Sequence, residues 1–201
     1  DPITIQIIPT VAFQFNDSST TKTASDLVTE VTTMINNFSD TDLEKFEQIF
    51  RFSNFTTKID QVDTAIVSNI TSIRASYAQT PTLATATKYT IAFENGIEHS
   101  GGDISGQQPV VTSTGFVIDG NTNTLYFDDD GAGKIKTYYL TGSTKTTVDS
   151  EAGTINYTTG EIIITSINIT SVVNADGTIT FTMKPASNDM VPVRNQVFQI
   201  D

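Results

Sequence analysis

Alternating apolar and polar residues open the chain. Every second residue is apolar from Ile3 to Ile7 and again from Val11 to Phe15, and Pro9 lies between the two runs. A period of two is typical of a strand that buries one of its faces. The pattern therefore predicts one interrupted strand, or two, at the start of the fold.

The period then changes to that of a helix. Thr23 and Asp26 have the spacing of a capping box, and the residues after them are apolar at every third or fourth position. This predicts a first helix that begins after Thr23. Its apolar stripe comprises Leu27, Val31, Ile35 and Phe38.

Two more helices are predicted before residue 64. The first runs from Thr41 to Arg51 and the second from Asn54 to Asp63, with Ser53 or Asn54 as the N-cap between them. Phe52 is expected to be buried rather than exposed. Each helix has one apolar stripe, so the two stripes can share a core. The residues expected to meet there are Phe46, Phe50, Phe55 and Ile59, and Leu43, Val62 and Ile66 extend the stripes.

A second strand is predicted from Ile70, because Ile73 and Ala75 alternate with the polar Arg74. The front of the chain is thus predicted to be strand, helix, helix, helix, strand, with the helices packed on a small sheet. Strands joined by so long a crossover can lie parallel, with a right-handed connection. We place a boundary between Tyr77 and Leu83.

The region after Gln79 shows no helical period of useful length. Short alternating runs are separated by turn signals, and a glycine-rich loop is expected from His99 to Gln108. Such a pattern is typical of a β-sandwich or an open barrel. The predicted fold class is therefore α+β, with an α+β domain over residues 1–80 and an all-β, sandwich-like or open-barrel domain over residues 81–201. The turn signals are Asn95-Gly96, Asp119-Gly120, Asp130-Gly131, Thr159-Gly160 and Asp176-Gly177.

Three segments resemble one protein family. The run from Phe46 to Arg74 is similar to the baseplate wedge proteins of contractile-tailed bacteriophages, in the baseplate J-like group, and carries FRFSNF, IDQVDTAIVSN and ITSIR. Two later segments resemble downstream parts of the same family, GTINYTTGEIIIT and PASNDMVPVRNQVFQID. The similarity covers most of the chain and includes no catalytic signature.

The resemblance implies a structural virion component, made in the host bacterial cytoplasm and assembled into the tail baseplate. Its expected partners are other baseplate wedge subunits and copies of itself, in homodimer or ring contacts that shift when the sheath contracts. The predicted helices Thr41 to Arg51 and Asn54 to Asp63 are the rigid element expected to make these contacts. No enzyme activity, cofactor or small-molecule substrate is expected.

Composition limits the partners further. The 201 residues carry a formal net charge of −12, with only eleven Lys and Arg. A surface this acidic repels phosphate backbones and anionic lipids, so neither nucleic acid nor a membrane is an expected partner. The chain has no Cys, which excludes disulfides and Cys-based zinc sites. Because it begins with Asp1 and Pro2, we expect a segment of a longer polypeptide.

One acidic segment offers candidate ligands for a calcium ion. Asp128, Asp129 and Asp130 precede Gly131–Gly133, and closely spaced carboxylates supply the oxygen ligands that Ca²⁺ prefers. The EF-hand spacing is absent, because the twelfth position is Tyr139 rather than Glu. Strand-like runs flank the segment, so a solvated hairpin turn is the simpler interpretation and no metal site is predicted.

Other candidate sites have weaker patterns. His99 is the only histidine and no nucleophile-elbow serine accompanies it, so a catalytic triad is not predicted. Gly142 to Lys145 lacks the order and the spaced first glycine of a phosphate loop. No pair among the 23 acidic residues stands out as the two carboxylates of a glycoside hydrolase.

One alternative class stays open beside the structural one. An extracellular or tail-associated β-rich module that binds a glycan or a host surface would present exposed aromatic side chains, with Tyr126, Tyr138 and Tyr139 as candidates. A tail-associated glycoside hydrolase is the third hypothesis.

Overall fold

A computed structural model describes residues 3–99, 108–193 and 195–200. The chain separates into two compact units: unit 1 comprises Asp1–Ala75 with Ser187–Asp201, and unit 2 comprises Ser76–Ala186. The C-terminal segment, placed by the sequence in the domain over residues 81–201, lies with unit 1. Apart from its two ends, the glycine-rich loop predicted from His99 to Gln108 is outside the described residues.

Strands are the most abundant secondary structure among the described residues, and two α-helices occur among them. The helices are α1 (Ala24–Phe38) and α2 (Phe52–Asp60). The strands are β1 (Ile3–Phe15), β2 (Ile66–Gln79), β3 (Ala86–Ala92), β4 (Val111–Ser113), β5 (Phe116–Ile118), β6 (Leu125–Asp129), β7 (Lys134–Thr141), β8 (Thr144–Asn156), β9 (Glu161–Val172), β10 (Ile179–Met183) and β11 (Gln196–Ile200).

The sheet of unit 1 brings the first and last strands side by side. β11 pairs in parallel with β1, with Ile3 opposite Gln196 and Ile7 opposite Ile200, and β2 is the neighbour of β1 on the other side. Ile7 and Phe198 are fully buried. β1 continues through Pro9 as one strand, and the C-terminal strand contributes to the core of unit 1.

The capping box predicted for α1 is present. Thr23 Oγ1 accepts a hydrogen bond from the N–H of Asp26 at 3.2 Å, and Asp26 Oδ2 accepts one from the N–H of Thr23 at 2.8 Å. Leu27, Val31 and Phe38 of the predicted stripe are buried. Several threonines in α1 donate to carbonyls four residues earlier. Because β-branched residues are weak helix formers, α1 depends on the docking of its apolar face.

The helix predicted from Thr41 to Arg51 does not form. α1 passes into a π-helical turn over Ser39–Leu43, and residues 44–49 form an exposed loop. Phe50 instead makes an antiparallel bridge with Met190, in which each N–H donates to the other carbonyl, at 3.0 and 3.1 Å. The C-terminal segment therefore overrides the local helical spacing, as tertiary contacts commonly do.

α2 begins at Phe52, earlier than the predicted Asn54, and ends at Asp60. The N–H of Phe52 donates to Asp189 Oδ1 at 2.8 Å, and Arg51 pairs with the same carboxylate at 3.2 Å. A carboxylate at a helix N-terminus satisfies free N–H groups and interacts favourably with the helix dipole. The helix start is thus set by a residue distant in sequence rather than by a local N-cap. Phe52 itself is half-buried.

Three phenylalanines form the centre of the core of unit 1. The ring centroids of Phe38 and Phe55 lie 5.3 Å apart, those of Phe50 and Phe55 5.5 Å, and those of Phe38 and Phe50 6.2 Å. Phe50, Phe55 and Ile59 are fully buried, as predicted. Phe46, which was expected among them, is 62% exposed, so that part of the prediction was wrong.

All pairings described within unit 2 are antiparallel. β5, β6, β7, β8 and β9 pair in that order, and β9 pairs back with β5, so that five strands close into a ring. β3 pairs with β9, and β4 pairs with both β6 and β10. Phe127 stacks on Phe116 and Phe181, with ring centroids 4.4 and 5.5 Å apart. The turn spacing correctly predicted an all-β region.

Candidate functional site

A loop on the surface of unit 1 exposes large apolar side chains. In residues 44–49, which we call the 44–49 loop, Phe46 is 62% exposed and Ile49 is 36% exposed. Glu47, between them, has a φ of 63°, in the left-handed region that strains a residue with a Cβ. Strained backbone and exposed apolar side chains are both typical of binding surfaces.

Both ends of the 44–49 loop are fixed. The Ser39 hydroxyl donates to Glu44 Oε1 at 3.0 Å and accepts a hydrogen bond from the N–H of Ile200 at 2.9 Å. At the other end, Phe50 is held by its bridge to Met190. A loop with fixed ends loses less conformational entropy on binding, so it can present its apolar side chains at lower cost.

The surroundings of the loop are acidic. Asp40, Asp42, Glu44 and Glu47 lie within ten residues of sequence that contain a single cation, Lys45. Long-range complementarity therefore favours a partner surface with an apolar pocket and a neutral or basic rim.

An open cleft of about 600 Å³ lies between α1 and α2. Its lining includes two lysines, and both are paired. Lys58 forms an ion pair with Asp42 at 3.2 Å, and Lys22 pairs with Glu30 at 2.8 Å and with Asp63 at 2.7 Å. Because these cations are already engaged, the cleft does not favour an anionic ligand.

The Lys22 pairing shifts the titration of both partners. The Lys22 ammonium holds the pKa of the Asp63 carboxyl below its ordinary value, and the N–H of Ala65, which donates to Asp63 at 2.8 Å, adds to the shift. Asp63 and then Glu30 raise the pKa of Lys22. The Asp63 contribution to stability is therefore present above about pH 3.9 and is lost as the pH falls through the lowered folded value. The Lys22 contribution is present below about pH 10.4 and is lost above it.

Lys22→Met is expected to raise the pKa of Asp63 towards that of a free aspartate. The stability difference between the wild type and Lys22→Met should be largest near neutral pH and should shrink as the pH falls below about 3.9 and through the lowered pKa of Asp63 in the wild type. Carboxyl ¹³C NMR titration of Asp63, with urea unfolding at neutral and acid pH, measures both effects. Lys45→Met is the control, because it removes the same charge from an exposed loop residue. If it raised the pKa of Asp63 as much as Lys22→Met does, the direct ion pair between Lys22 and Asp63 would be contradicted.

The consecutive aspartates considered as calcium ligands have separate protein partners. Asp128 is 2% exposed and pairs with Lys145 at 2.8 Å and with Lys136 at 3.6 Å. Asp130 Oδ1 accepts from the N–H groups of Ala132 and Lys134, at 2.7 and 2.9 Å, as in a hairpin turn. Among the described residues, no group of three or more His, Cys, Asp and Glu could hold a metal ion. The absence of a metal stays a prediction.

Asp129 joins strands and a tyrosine inside unit 2. Its Oδ1 accepts from the N–H of Val111 at 2.8 Å, and its Oδ2 accepts from the hydroxyl of Tyr157 at 2.9 Å. Burial raises the pKa of Tyr157, and the accepting carboxylate adds to the shift, so the hydroxyl stays a donor. His99 stacks on Tyr157 with centroids 4.1 Å apart, and its Nε2 lies 2.8 Å from the carbonyl oxygen of Gly131. Each of these side chains is therefore engaged in contacts within the protein.

The aromatic residues proposed for a glycan site are not a free platform. Tyr138 is only 8% exposed. Its ring stacks on Tyr126, with centroids 5.6 Å apart, and Lys145 Nζ lies 4.3 Å from its centre. Tyr139 is half-buried. Gly142–Lys145, the segment compared with a phosphate loop, includes the turn of the β7–β8 hairpin.

Residues 5–76 match the family model of the baseplate structural protein gp6, C-terminal domain III. The match begins within β1 and ends within β2, so it includes both helices and the 44–49 loop but well under half of the chain. No curated protein matches the chain. None of the described helices is both long and apolar enough to span a membrane. The family match supports the resemblance to phage baseplate wedge proteins and a structural role in the baseplate of the virion tail.

Proposed function

We propose that this chain, whose residues 5–76 match the family model of a phage baseplate structural protein domain, acts as an assembly subunit of the baseplate wedge. It is made in the host cytoplasm and binds other wedge subunits and copies of itself in the tail. Some of these contacts rearrange when the sheath contracts. The observation that carries the proposal is the 44–49 loop, which lies in the matched domain and exposes Phe46 from a segment with fixed ends.

Phe46 has the properties of an interface anchor. Aromatic side chains combine a large apolar area with few rotatable bonds, and full burial of one contributes about 1.5–3 kcal/mol. That energy changes a dissociation constant roughly tenfold to a hundredfold. Since 62% of Phe46 is exposed, most of this energy is available to a partner. The buried cluster of Phe38, Phe50 and Phe55 supplies the rigid base beneath the segment.

Phe46→Ser is expected to reduce incorporation into wedge complexes at least about tenfold without changing the unfolding midpoint. Co-expression with the other wedge proteins of the same phage, followed by affinity purification of the complex, measures incorporation. Ile70→Ser is the matched control, because Ile70 is 79% exposed in the same domain and lies on β2 rather than in the loop. Equal losses for the two variants, or normal incorporation of Phe46→Ser, would show that the loop is not the contact.

A further inference from the structure

The first strand of unit 1 is paired on one of its sides over only part of its length. β11 pairs with β1 from Ile3 to Ile7, whereas β1 continues to Phe15. β2 is the neighbour of β1 on the other side. None of the strand pairings or bridges between described residues covers the β11 side of residues 9–15. These residues therefore form an open edge of the sheet, which we call the β1 edge.

The two ends of β1 show which backbone groups point outward at this edge. The N–H of Ile3 donates to the carbonyl of Asn195, the residue before β11, at 2.7 Å, and the N–H of Asn16 donates to the carbonyl of Ala65, the residue before β2, at 2.9 Å. Successive residues of a strand direct their N–H groups to opposite sides, so the odd-numbered residues of β1 face the β11 side. The outward N–H groups at the β1 edge are those of Val11, Phe13 and Phe15.

The side chains at the β1 edge are less buried than those beside β11. Ile5 and Ile7 are fully buried. Val11, Phe13 and Phe15 lie on the same face of the strand, because every second residue points to one face, but they are only half-buried. An added strand would cover them in the way that β11 covers the first part of β1.

The β1 edge lacks the charges that usually keep open edges from pairing. Residues 3–16 contain no charged side chain, whereas Lys and other charged residues are typical of open edges. β8 shows the usual arrangement: its pairing with β9 begins at Gly153, and the part before it carries Lys145, Asp149 and Glu151. Pro9 has no N–H, but it lies at one end of the β1 edge and leaves the rest available. The β1 edge therefore favours the addition of a strand.

Acidic residues lie at both ends of the β1 edge. Asp17 is exposed two residues after β1. Asp40 is exposed next to Ser39, whose hydroxyl accepts from the N–H of Ile200 at the end of β11. A second copy paired antiparallel at this edge would bring the Asp17 end of each copy to the Asp40 end of the other, and these like charges would repel. A strand with basic residues on both sides would be attracted instead.

We propose that the β1 edge binds an extended segment of a partner protein as an added strand, and that this segment is apolar at alternate positions and basic on both sides. Backbone N–H and C=O groups of β1 supply the hydrogen bonds. The apolar side chains of the segment cover Val11, Phe13 and Phe15, and its basic residues face Asp17 and Asp40.

This surface adds a second contact to the proposed assembly role. It lies within residues 5–76 but includes no residue of the 44–49 loop. Its test uses the purified chain and a synthetic peptide, whereas the test of Phe46 uses co-expressed wedge proteins. Failure of one proposal is therefore distinguishable from failure of the other.

The test is amide hydrogen exchange of the full chain, measured by NMR with and without a peptide. The peptide has a core of alternating valines and threonines as long as the β1 edge, with lysines on each side. We expect a saturating concentration to slow exchange at least about tenfold at the outward amides of Val11, Phe13 and Phe15. The amides of Thr10, Ala12 and Gln14 face β2 and should exchange slowly with or without the peptide.

The same peptide with every core residue N-methylated is the matched control. It keeps the side chains and the lysines but has no backbone donors in its core, so it should protect none of the outward amides. Unchanged exchange at these amides with the first peptide, or equal protection by the N-methylated one, would overturn the proposal. Protection that instead follows the concentration of the chain alone, with dimers in sedimentation, would identify a second copy as the occupant and would overturn it too.

Variants distinguish the β1 edge from general attraction to an acidic protein. Asp17→Asn with Asp40→Asn should weaken peptide binding about fivefold. Asp119→Asn with Asp149→Asn removes two exposed carboxylates from unit 2 and should leave binding unchanged. Val11→Pro removes an outward N–H and should weaken binding more than Val11→Ala, which keeps that N–H. Equal effects within either pair of variants would also overturn the proposal.

Discussion

Phe55→Ala is expected to destabilise unit 1 by about 3–5 kcal/mol, the range for deletion of a buried aromatic ring. Phe55 is fully buried, and its ring lies against those of Phe38 and Phe50. Its removal loses both ring contacts and leaves a cavity at the centre of the cluster. The neighbouring backbone is held by the bridge between Phe50 and Met190, so the site can collapse only partly.

Phe46→Ala is the matched control for this prediction. It deletes the same atoms from a side chain that is 62% exposed, and the expected cost is within about 0.5 kcal/mol. Urea unfolding followed by far-UV circular dichroism reports α1 and α2, which both lie in unit 1. A loss below about 1 kcal/mol for Phe55→Ala, or an equal loss for Phe46→Ala, would contradict the core described here.

Features that depend on residues close together in the sequence were predicted correctly. The Thr23–Asp26 capping box and the apolar stripe of α1 depend on residues that are three or four positions apart in the sequence, so their spacing can be read directly from the sequence. The same holds for the turn signals of unit 2, because glycine marks the backbone conformations that other residues avoid. These features predicted one of the two α-helices at its true start and the all-β character of unit 2.

The secondary-structure predictions were wrong where contacts with segments distant in sequence outweigh the local helical preference. Leu43, Phe46 and Phe50 have helical spacing, but Phe50 pairs with Met190 and α2 is capped by Asp189. Both partners are more than a hundred residues away, and no pattern in residues 41–54 indicates them. For the same reason Phe46 is exposed rather than buried in the core as predicted. It thereby became the best candidate for a contact residue, a role that spacing alone could not assign.

Site chemistry was predictable only in part. The solvated hairpin turn predicted over aspartates 128–130 holds for Asp130 alone, because Asp128 and Asp129 are buried residues of β6 whose partners depend on which strands face them. The buried, unpartnered side-chain oxygens of Thr137 and Asn168 were not predicted, because these residues lie on different strands and neither belongs to a motif. Only the closure of the five-strand ring brings them together.

A second large effect is expected at one of the predicted turns, Thr159-Gly160. Gly160 has a φ of 75°, and a Cβ there would lie 2.2 Å from the carbonyl oxygen of Asn95. The Gly160 carbonyl also accepts from the N–H of Phe93 at 3.0 Å, so the two backbone segments cannot separate without loss of that bond. Gly160→Ala should therefore combine left-handed strain of about 1–2 kcal/mol with a steric cost of about 1–3 kcal/mol or more.

Gly177→Ala separates these two costs. Gly177 has a φ of 79°, and a Cβ there would meet nothing within 4 Å, so this variant should show the conformational strain alone. All six tyrosines lie between residues 77 and 157, within unit 2, so tyrosine fluorescence during urea unfolding follows this unit for both variants. Gly160→Ala should lower the unfolding midpoint well below that of Gly177→Ala. Equal midpoints would mean that Asn95 and Gly160 are not in close contact, and that the turn after β8 is set by backbone conformation alone.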